Sequence, residues 1–185
     1  MKTQTSRAFT LIELLITVAI IAILAAIAVP NFLEAQTRAK VSRAQADMRS
    51  IGTALETFRV DWNRYPPEYV PNGFGIKNDD LPNMLRLVPL TTPISYMTSV
   101  PRDPFNNGDD QWSQEGSTYH YTARNDPRPF SAPADSPFWT SRPGYFWNNL
   151  SYGPDSTNEG WQNIQHTYDP TNGTISTGNV LRWGP

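Results

Sequence analysis

The chain is expected to be an α+β protein: one long N-terminal α-helix, a membrane half followed by an amphipathic half, packed on a small antiparallel β-sheet with a long proline-rich connecting loop. Three observations predict this. Residues 9–29, FTLIELLITVAIIAILAAIAV, are almost wholly apolar. From residue 31 the pattern turns amphipathic, with apolar positions at alternating spacings of three and four. Beyond Tyr65 lie 16 of the 17 prolines and five of the six tryptophans, which excludes long helices there and leaves turns and strands.

The apolar run comes first. Its 21 residues match the roughly 20 needed to span a bilayer, and it has no polar face of the kind a soluble core helix shows. Glu13 interrupts it near its start, at an insertion cost of roughly 2.5 to 3.5 kcal/mol at mid-membrane and less near the end. Something must compensate that carboxylate. If the chain is cut between Ala8 and Phe9, the new amine on Phe9 lies one helical turn, i to i+4, from Glu13, and can pair with it or with the Glu13 of a neighbouring copy. A processed, polymerising protein follows from that picture. An ordinary secretory signal is the rival: Lys2 and Arg7 make a positive leader, and Ala26-Ile27-Ala28 resembles a small-x-small cleavage site. Glu13 inside the would-be h-region, and a run longer than the usual 7 to 15 residues, weigh against it.

The run Arg7-Ala8-Phe9-Thr10-Leu11-Ile12-Glu13-Leu14, with its short basic leader and Pro30 beyond the apolar stretch, resembles the prepilin-type cleavage and methylation segment of type IV pilins and type II secretion pseudopilins. The likeness is strongest over residues 1 to about 65 and implies a pilin-like fold. It further implies that a prepilin peptidase cuts between Ala8 and Phe9 and methylates the Phe9 amine, and that Glu13 aligns each subunit with its neighbour. The family's usual residue before the cut is Gly; here the next smallest side chain, Ala8, stands there. Residues 1–8 are thus read as leader peptide, 9–30 as transmembrane and assembly helix, 31–62 as amphipathic helix of the globular domain, and 63–185 as loop and sheet. Pro30 has two readings, as the end of the membrane helix at the interface or, from the family, as a kink used in filament packing.

In the amphipathic half, Val41, Ala44, Met48, Ile51, Leu55, Phe58 and Trp62 form one stripe, and Arg38, Arg43, Asp47, Glu56 and Arg59 fall off it. Without a charge pattern flanking the stripe, packing on a sheet is favoured over a coiled coil. Counted from Phe9 to Trp62, the helix would be on the order of 80 Å long. Gly52, mid-stripe, costs up to about 1 kcal/mol against Ala and is expected to serve close approach to the sheet.

Asn63-Arg64-Tyr65-Pro66-Pro67 ends the helix, and Asp80 offers an N-cap for a short turn over residues 81–85. Residues 87–105, ending Val100-Pro101-Arg102-Asp103-Pro104-Phe105, resemble the connecting segment of the major pseudopilins; Arg102 and Asp103 are expected as a solvated pair or a loop tether. Alternation then suggests strands over residues 117–122, 144–147, 149–152 and 174–183, the last around a break at Gly178. Residues 126–143 form a Pro/Ser loop whose Phe130, Phe138 and Trp139 are expected to cover the sheet.

Composition excludes several activities. The formal charge of −2 falls to about −4 once Lys2 and Arg7 leave with the leader, so no basic footprint for nucleic acid exists. With no cysteine there is no disulfide framework and no thiol nucleophile; many type IV pilins carry a C-terminal disulfide, so its absence favours the pseudopilins. His120 and His166 stand apart, no phosphate loop or hydrolase motif occurs, and the chain is read as no enzyme.

One segment suggests a metal. Residues 150–160, LSYGPDSTNEG, place a carboxylate, hydroxyls and an amide in a Gly/Pro turn, and hard oxygen donors suit Ca²⁺. In the major pseudopilins a similar loop and a later Gly-Asp-Ile hold structural calcium. The first part matches at Leu150, Gly153 and Asp155; the later part reads Gly178-Asn179-Val180, where Asn179 supplies only a neutral oxygen. The alternative is a self-hydrogen-bonded Asx turn at Asp155.

The resemblance implies a major-pseudopilin-like subunit of a type II secretion or related machine, forming a homo-oligomeric helical filament. Its expected partners are the prepilin peptidase, minor pseudopilins, an assembly ATPase and a platform membrane protein, with no nucleic acid. The expected location is the inner membrane, single pass, with a cytoplasmic N-terminus and a periplasmic globular domain. Arg38, Lys40 and Arg43 on the far flank leave the positive-inside count undecided on that orientation. Two alternatives stand: a type IV pilin for adhesion, motility or DNA uptake, and a signal-cleaved periplasmic module whose Trp139, Tyr145, Phe146, Trp147 and Trp161 stack on carbohydrate.

Overall fold

A computed structural model describes residues 9–67, 86–107, 118–124, 143–157, 167–169, 171, 176 and 178–185. The leader, with Lys2, Arg7 and Ala8, the Asp80 turn, Phe130, Phe138, Trp139, Trp161 and His166 lie outside these residues. Among the described residues five elements follow in chain order: α1 (Leu11–Trp62), a 3₁₀ turn (Val88–Leu90), β1 (His120–Ala123), β2 (Trp147–Ser151) and β3 (Val180–Gly184). The chain divides into two compact units, residues 1–37 and 38–185.

The first unit is helix α1 to Thr37. Its leucines, isoleucines and valines from Leu11 to Leu33 are all exposed. The helix runs through Pro30 without a break. The reading of Pro30 as the helix end is therefore corrected: proline removes one N–H bond to the turn before it, and the long apolar sequence on either side carries the helix across.

In the second unit α1 buries Val41, Ala44, Met48, Ile51, Gly52, Ala54, Leu55 and Phe58. These include every residue of the predicted stripe except Trp62, which is 44% exposed. Trp62 stacks on Phe58 with ring centroids 5.8 Å apart and donates its indole N–H to Tyr96 Oη at 3.0 Å, so it lies at the rim of the core.

The sheet has the order β1-β2-β3, antiparallel throughout. Tyr121, Asn149 and Arg182 stand opposite one another, as do Ala123, Trp147 and Gly184. Sequence alternation separates 144–147 from 149–152, whereas a single strand over Trp147–Ser151 is found and Gly144 lies in the turn before it. Asn148 and Asn149 weaken the strand signal, yet β2 is the middle strand and all five of its residues are buried, so pairing on both edges overrides propensity.

Helix and sheet meet where Gly52 faces Trp147. A Cβ on Gly52 would stand 2.8 Å from Trp147 Cη2, and one on Gly184 would stand 1.8 Å from Trp147 Cε2. The indole is thus clamped between two glycines, and the close approach expected of Gly52 is what its position provides. Glu56 anchors the same ring by accepting from Trp147 Nε1 at 2.6 Å and from Tyr65 Oη at 3.0 Å. Arg59 lies between the Tyr65 and Phe146 rings, 5.2 Å from each centroid, and Tyr65 also hydrogen-bonds the Pro185 carbonyl. Burial pushes the Tyr65 phenol up to about 12, which keeps it a donor at all working pH values.

Candidate assembly segment and carboxylate-held loop

Phe9 and Glu13 begin α1, and Phe9 is 71% exposed. Glu13 is held on its own chain: its Oε2 accepts the Thr10 N–H at 2.9 Å and the Thr10 hydroxyl at 2.7 Å, while Thr10 Oγ1 accepts the Glu13 N–H at 3.4 Å. This reciprocal arrangement is a capping box, with Thr10 as N-cap and Glu13 at the third helical position. Sequence reasoning assigned Glu13 to the Phe9 amine and missed Thr10. The signal was present, since Thr10-Leu11-Ile12-Glu13 has the spacing of the box. Both contacts fall on Oε2, so among the described residues Oε1 is open to a further donor.

None of the most apolar stretch of α1 is buried within the chain, and the helix is long and apolar enough to cross a membrane. Such a surface is stable only against lipid or other apolar helices.

Among the described residues of the globular unit one carboxylate is buried. Asp103, 3% exposed, accepts from Phe105 N at 3.0 Å, Ser151 Oγ at 2.8 Å and Tyr152 N at 3.0 Å. Of the two readings for Arg102 and Asp103, the tether is correct and the solvated pair is not: Arg102 is exposed, and Asp103 ties the proline-rich connection to the end of β2. Burial raises the Asp103 carboxyl above the ordinary carboxylate value, against the three bonds that lower it.

Two C-terminal loops meet at Asp155 and Gly178. Asp155 Oδ1 accepts from Thr157 N at 3.2 Å, an Asx turn, and Oδ2 accepts from Gly178 N at 3.1 Å across the loop. Gly153 adopts φ +75°, and a Cβ there would lie 2.1 Å from the Gly178 carbonyl oxygen, so the two segments touch through backbone. Asn179 is 2% exposed and among the described residues its Oδ1 has no hydrogen-bond partner, while its carbonyl accepts from Tyr168 N at 3.0 Å. Leu150 sits inside β2 between His120 and Leu181 with its side chain buried. The orphaned amide oxygen of Asn179 is a hard neutral donor of the kind calcium accepts, while both Asp155 oxygens already accept backbone N–H groups. Among the described residues no group of three or more His, Cys, Asp or Glu gathers.

The aromatic platform required for carbohydrate stacking does not form around Trp147. That ring is 2% exposed between Gly52 and Gly184, and Phe146 is occupied by Arg59 and Arg124. Trp147 is core because it is the residue over which the helix crosses the sheet.

Comparison with known proteins gives two family matches. Residues 4–29 match the prokaryotic N-terminal methylation motif, and residues 31–124 match type II secretion system protein G. Among relatives, the type IV major pilin protein PilA of Myxococcus xanthus is 52% identical over 60 residues, which is 32% of this chain and 27% of that pilin. Type II secretion system core protein G of Klebsiella michiganensis is 29% identical over 116 residues, covering 63% of this chain and 79% of the relative. The core protein G of Pseudomonas aeruginosa is 29% identical over 118 residues, covering 57% of this chain and 83% of the relative. No solved structure matches the chain.

Proposed function

As the chain belongs to the type II secretion system protein G family, we propose that it is the major-pseudopilin-like subunit of a secretion filament, anchored by α1 and assembled after its leader is cut. The observation that carries this reading is a fully exposed apolar helix with a single carboxylate at its start, joined in one chain to a family-typical globular unit. In the bilayer, lipid covers the helix. In a filament the same surface is covered by helices of other copies, and the globular units form the outer sheath.

Cleavage between Ala8 and Phe9 converts an amide into an amine four residues from Glu13. The open Oε1 is the acceptor that the amine of an adjacent copy would reach, while Thr10 keeps Oε2. In low dielectric an unpaired carboxylate is costly, so pairing favours the register in which it is satisfied. A prepilin peptidase, minor pseudopilins, an assembly ATPase and a platform protein are the partners this route requires. The orientation is an inner-membrane single pass with the N-terminus in the cytoplasm.

A type IV pilin is the second reading, supported by the 52% identity to the Myxococcus pilin. That identity spans only 60 residues, whereas the protein G match extends over residues 31–124. N-terminal sequencing of protein purified from its own envelope tests the processing: N-methyl-Phe9 is expected, and a start at Val29 overturns assembly in favour of signal cleavage. Filament abundance with Glu13→Ala or Glu13→Gln should fall while processing continues; unchanged abundance rejects the pairing.

We also propose a structural calcium ion at the C-terminal loop, held by Asp155 and Asn179. Bound there, it would supply charge that locks the loop to the start of β3. Thermal melts of residues 31–185 with and without chelator test this, and an unchanged melting temperature rejects the ion.

A further inference from the structure

Asp61 and Trp62 at the end of α1 and Tyr96 on the proline-rich connection form a surface cluster within the globular unit. Trp62 packs one face of its indole on Phe58, donates the ring N–H to Tyr96 Oη at 3.0 Å, and stays 44% exposed. Tyr96 Oη in turn donates to Asp61 Oδ2 at 2.8 Å, and its ring meets Phe58 edge-on at 5.4 Å. Both polar hydrogens of these side chains are therefore used inside the cluster. What faces outward is an aromatic surface fixed in one orientation and Asp61 Oδ1, which has no donor among the described residues.

An immobilised tryptophan face beside a carboxylate oxygen is complementary to a guanidinium. The ring attracts the cation electrostatically, and the carboxylate accepts from its fork of N–H donors. Arg49 has the matching features. It is exposed, its side chain makes no ion pair or hydrogen bond among the described residues, and Thr53 Oγ1 engages only its carbonyl, at 3.1 Å. Ala46 and Thr53, one turn away on either side, are exposed and small, so the arm stands clear of its neighbours. On α1 the interval from Arg49 to Trp62 corresponds to about 140° around the helix and about 20 Å along it. The two therefore face different ways and cannot meet within one chain, which is the condition for a heterologous contact that repeats along an open helical array.

From this complementarity we propose that the cluster of Asp61, Trp62 and Tyr96 receives the Arg49 guanidinium of a second copy, linking globular units head to tail. A single exposed pair of this kind contributes little by itself. It acts where α1 already gathers the copies, and there it selects one register between neighbouring globular units. The inference rests on the filament reading given above.

The test uses the full-length chain in its own envelope, with filament yield and subunit abundance read together. Asp61→Asn removes the charge and keeps an acceptor for Tyr96 Oη. That variant and Arg49→Gln should each lower filament yield several-fold at unchanged subunit abundance, whereas Arg49→Lys should retain most of it. Asp61→Arg and Arg49→Asp should each be defective, and the double exchange should recover filaments, which damage to the fold would not do. The chain has no cysteine, and the two positions are about 18 Å apart on one helix, so disulfides in an Asp61→Cys/Arg49→Cys chain form only between copies. Under oxidant this chain should give a ladder of covalent multimers, and each single cysteine variant nothing above a dimer. Undiminished filaments in both Asp61→Asn and Arg49→Gln overturn the proposal. So does a double exchange no better than its single variants, or a double-cysteine chain that forms filaments without the ladder. Absence of filaments from the wild type would instead defeat the assembly reading on which the proposal rests.

Discussion

Gly52 shows how one residue can be judged only by what faces it. On an isolated helix Gly52→Ala gains about 1 kcal/mol in propensity. Here the new methyl would meet Trp147 Cη2 at 2.8 Å and Arg182 Nε at 3.3 Å, and a rigid indole does not yield cheaply. Overpacking costs about 1 to 3 kcal/mol, so the variant should be less stable, as a lowered urea midpoint for residues 31–185 would record. Asp103 is the second such residue. Asp103→Ala leaves Phe105 N, Ser151 Oγ and Tyr152 N without their acceptor and should cost on the order of 3 kcal/mol. Because burial raises its folded-state value, the group's contribution is fully present below the ordinary carboxylate range and is lost as pH rises through that raised value. Melts between pH 3 and 7 should show this pH-dependent component in the wild type and not in Asp103→Asn.

At the scale of the element, α1 does two jobs with one continuous backbone. Its first turn is closed by the Thr10 and Glu13 capping box, so Thr10→Ala should loosen the start of the helix by about 1 kcal/mol. Faster amide exchange over residues 11–14 in detergent micelles would show it. Pro30 leaves the Ala26 carbonyl without its helical donor, a weak point inside the apolar stretch. If local opening there is used during filament packing, Pro30→Ala should slow amide exchange around residues 26–34 and lower filament yield. Unchanged yield with slowed exchange would leave Pro30 without an assembly role. The middle strand β2 carries the opposite lesson. The expected strands 144–147 and 149–152 left Asn148 between them, and only the presence of β1 on one edge and β3 on the other explains one strand through it.

For the whole molecule, activity is association, and the energy for it is stored in exposed apolar surface. Much of this was legible beforehand. The apolar run and the stripe from Val41 to Phe58 followed from local pattern, whereas the approach of the Asp155 loop to Gly178 was implied only by the resemblance to the major pseudopilins. The Thr10 contact, the Asp103 tether and the burial of Trp147 were less visible, because each depends on groups far apart in the chain or on a short-range box overshadowed by a stronger motif. If the helix surface drives assembly, a chain starting at Asn31 should stay monomeric where the mature full-length protein forms filaments. Analytical ultracentrifugation of the fragment checks this, and oligomers of similar size would shift the assembly surface to the globular unit.

The amino-acid order alone determined where the helix is apolar, where it becomes amphipathic, and that a lone acid, Glu13, stands one turn beyond Phe9, since periodicity and spacing are properties of neighbouring residues. The tertiary structure decided which large aromatic is core and which is rim, that Asp103 rather than Arg102 enters the interior, and that β2 is continuous. Those outcomes depend on which backbone closes over which side chain, and on whether a buried polar atom finds a partner brought from elsewhere in the chain.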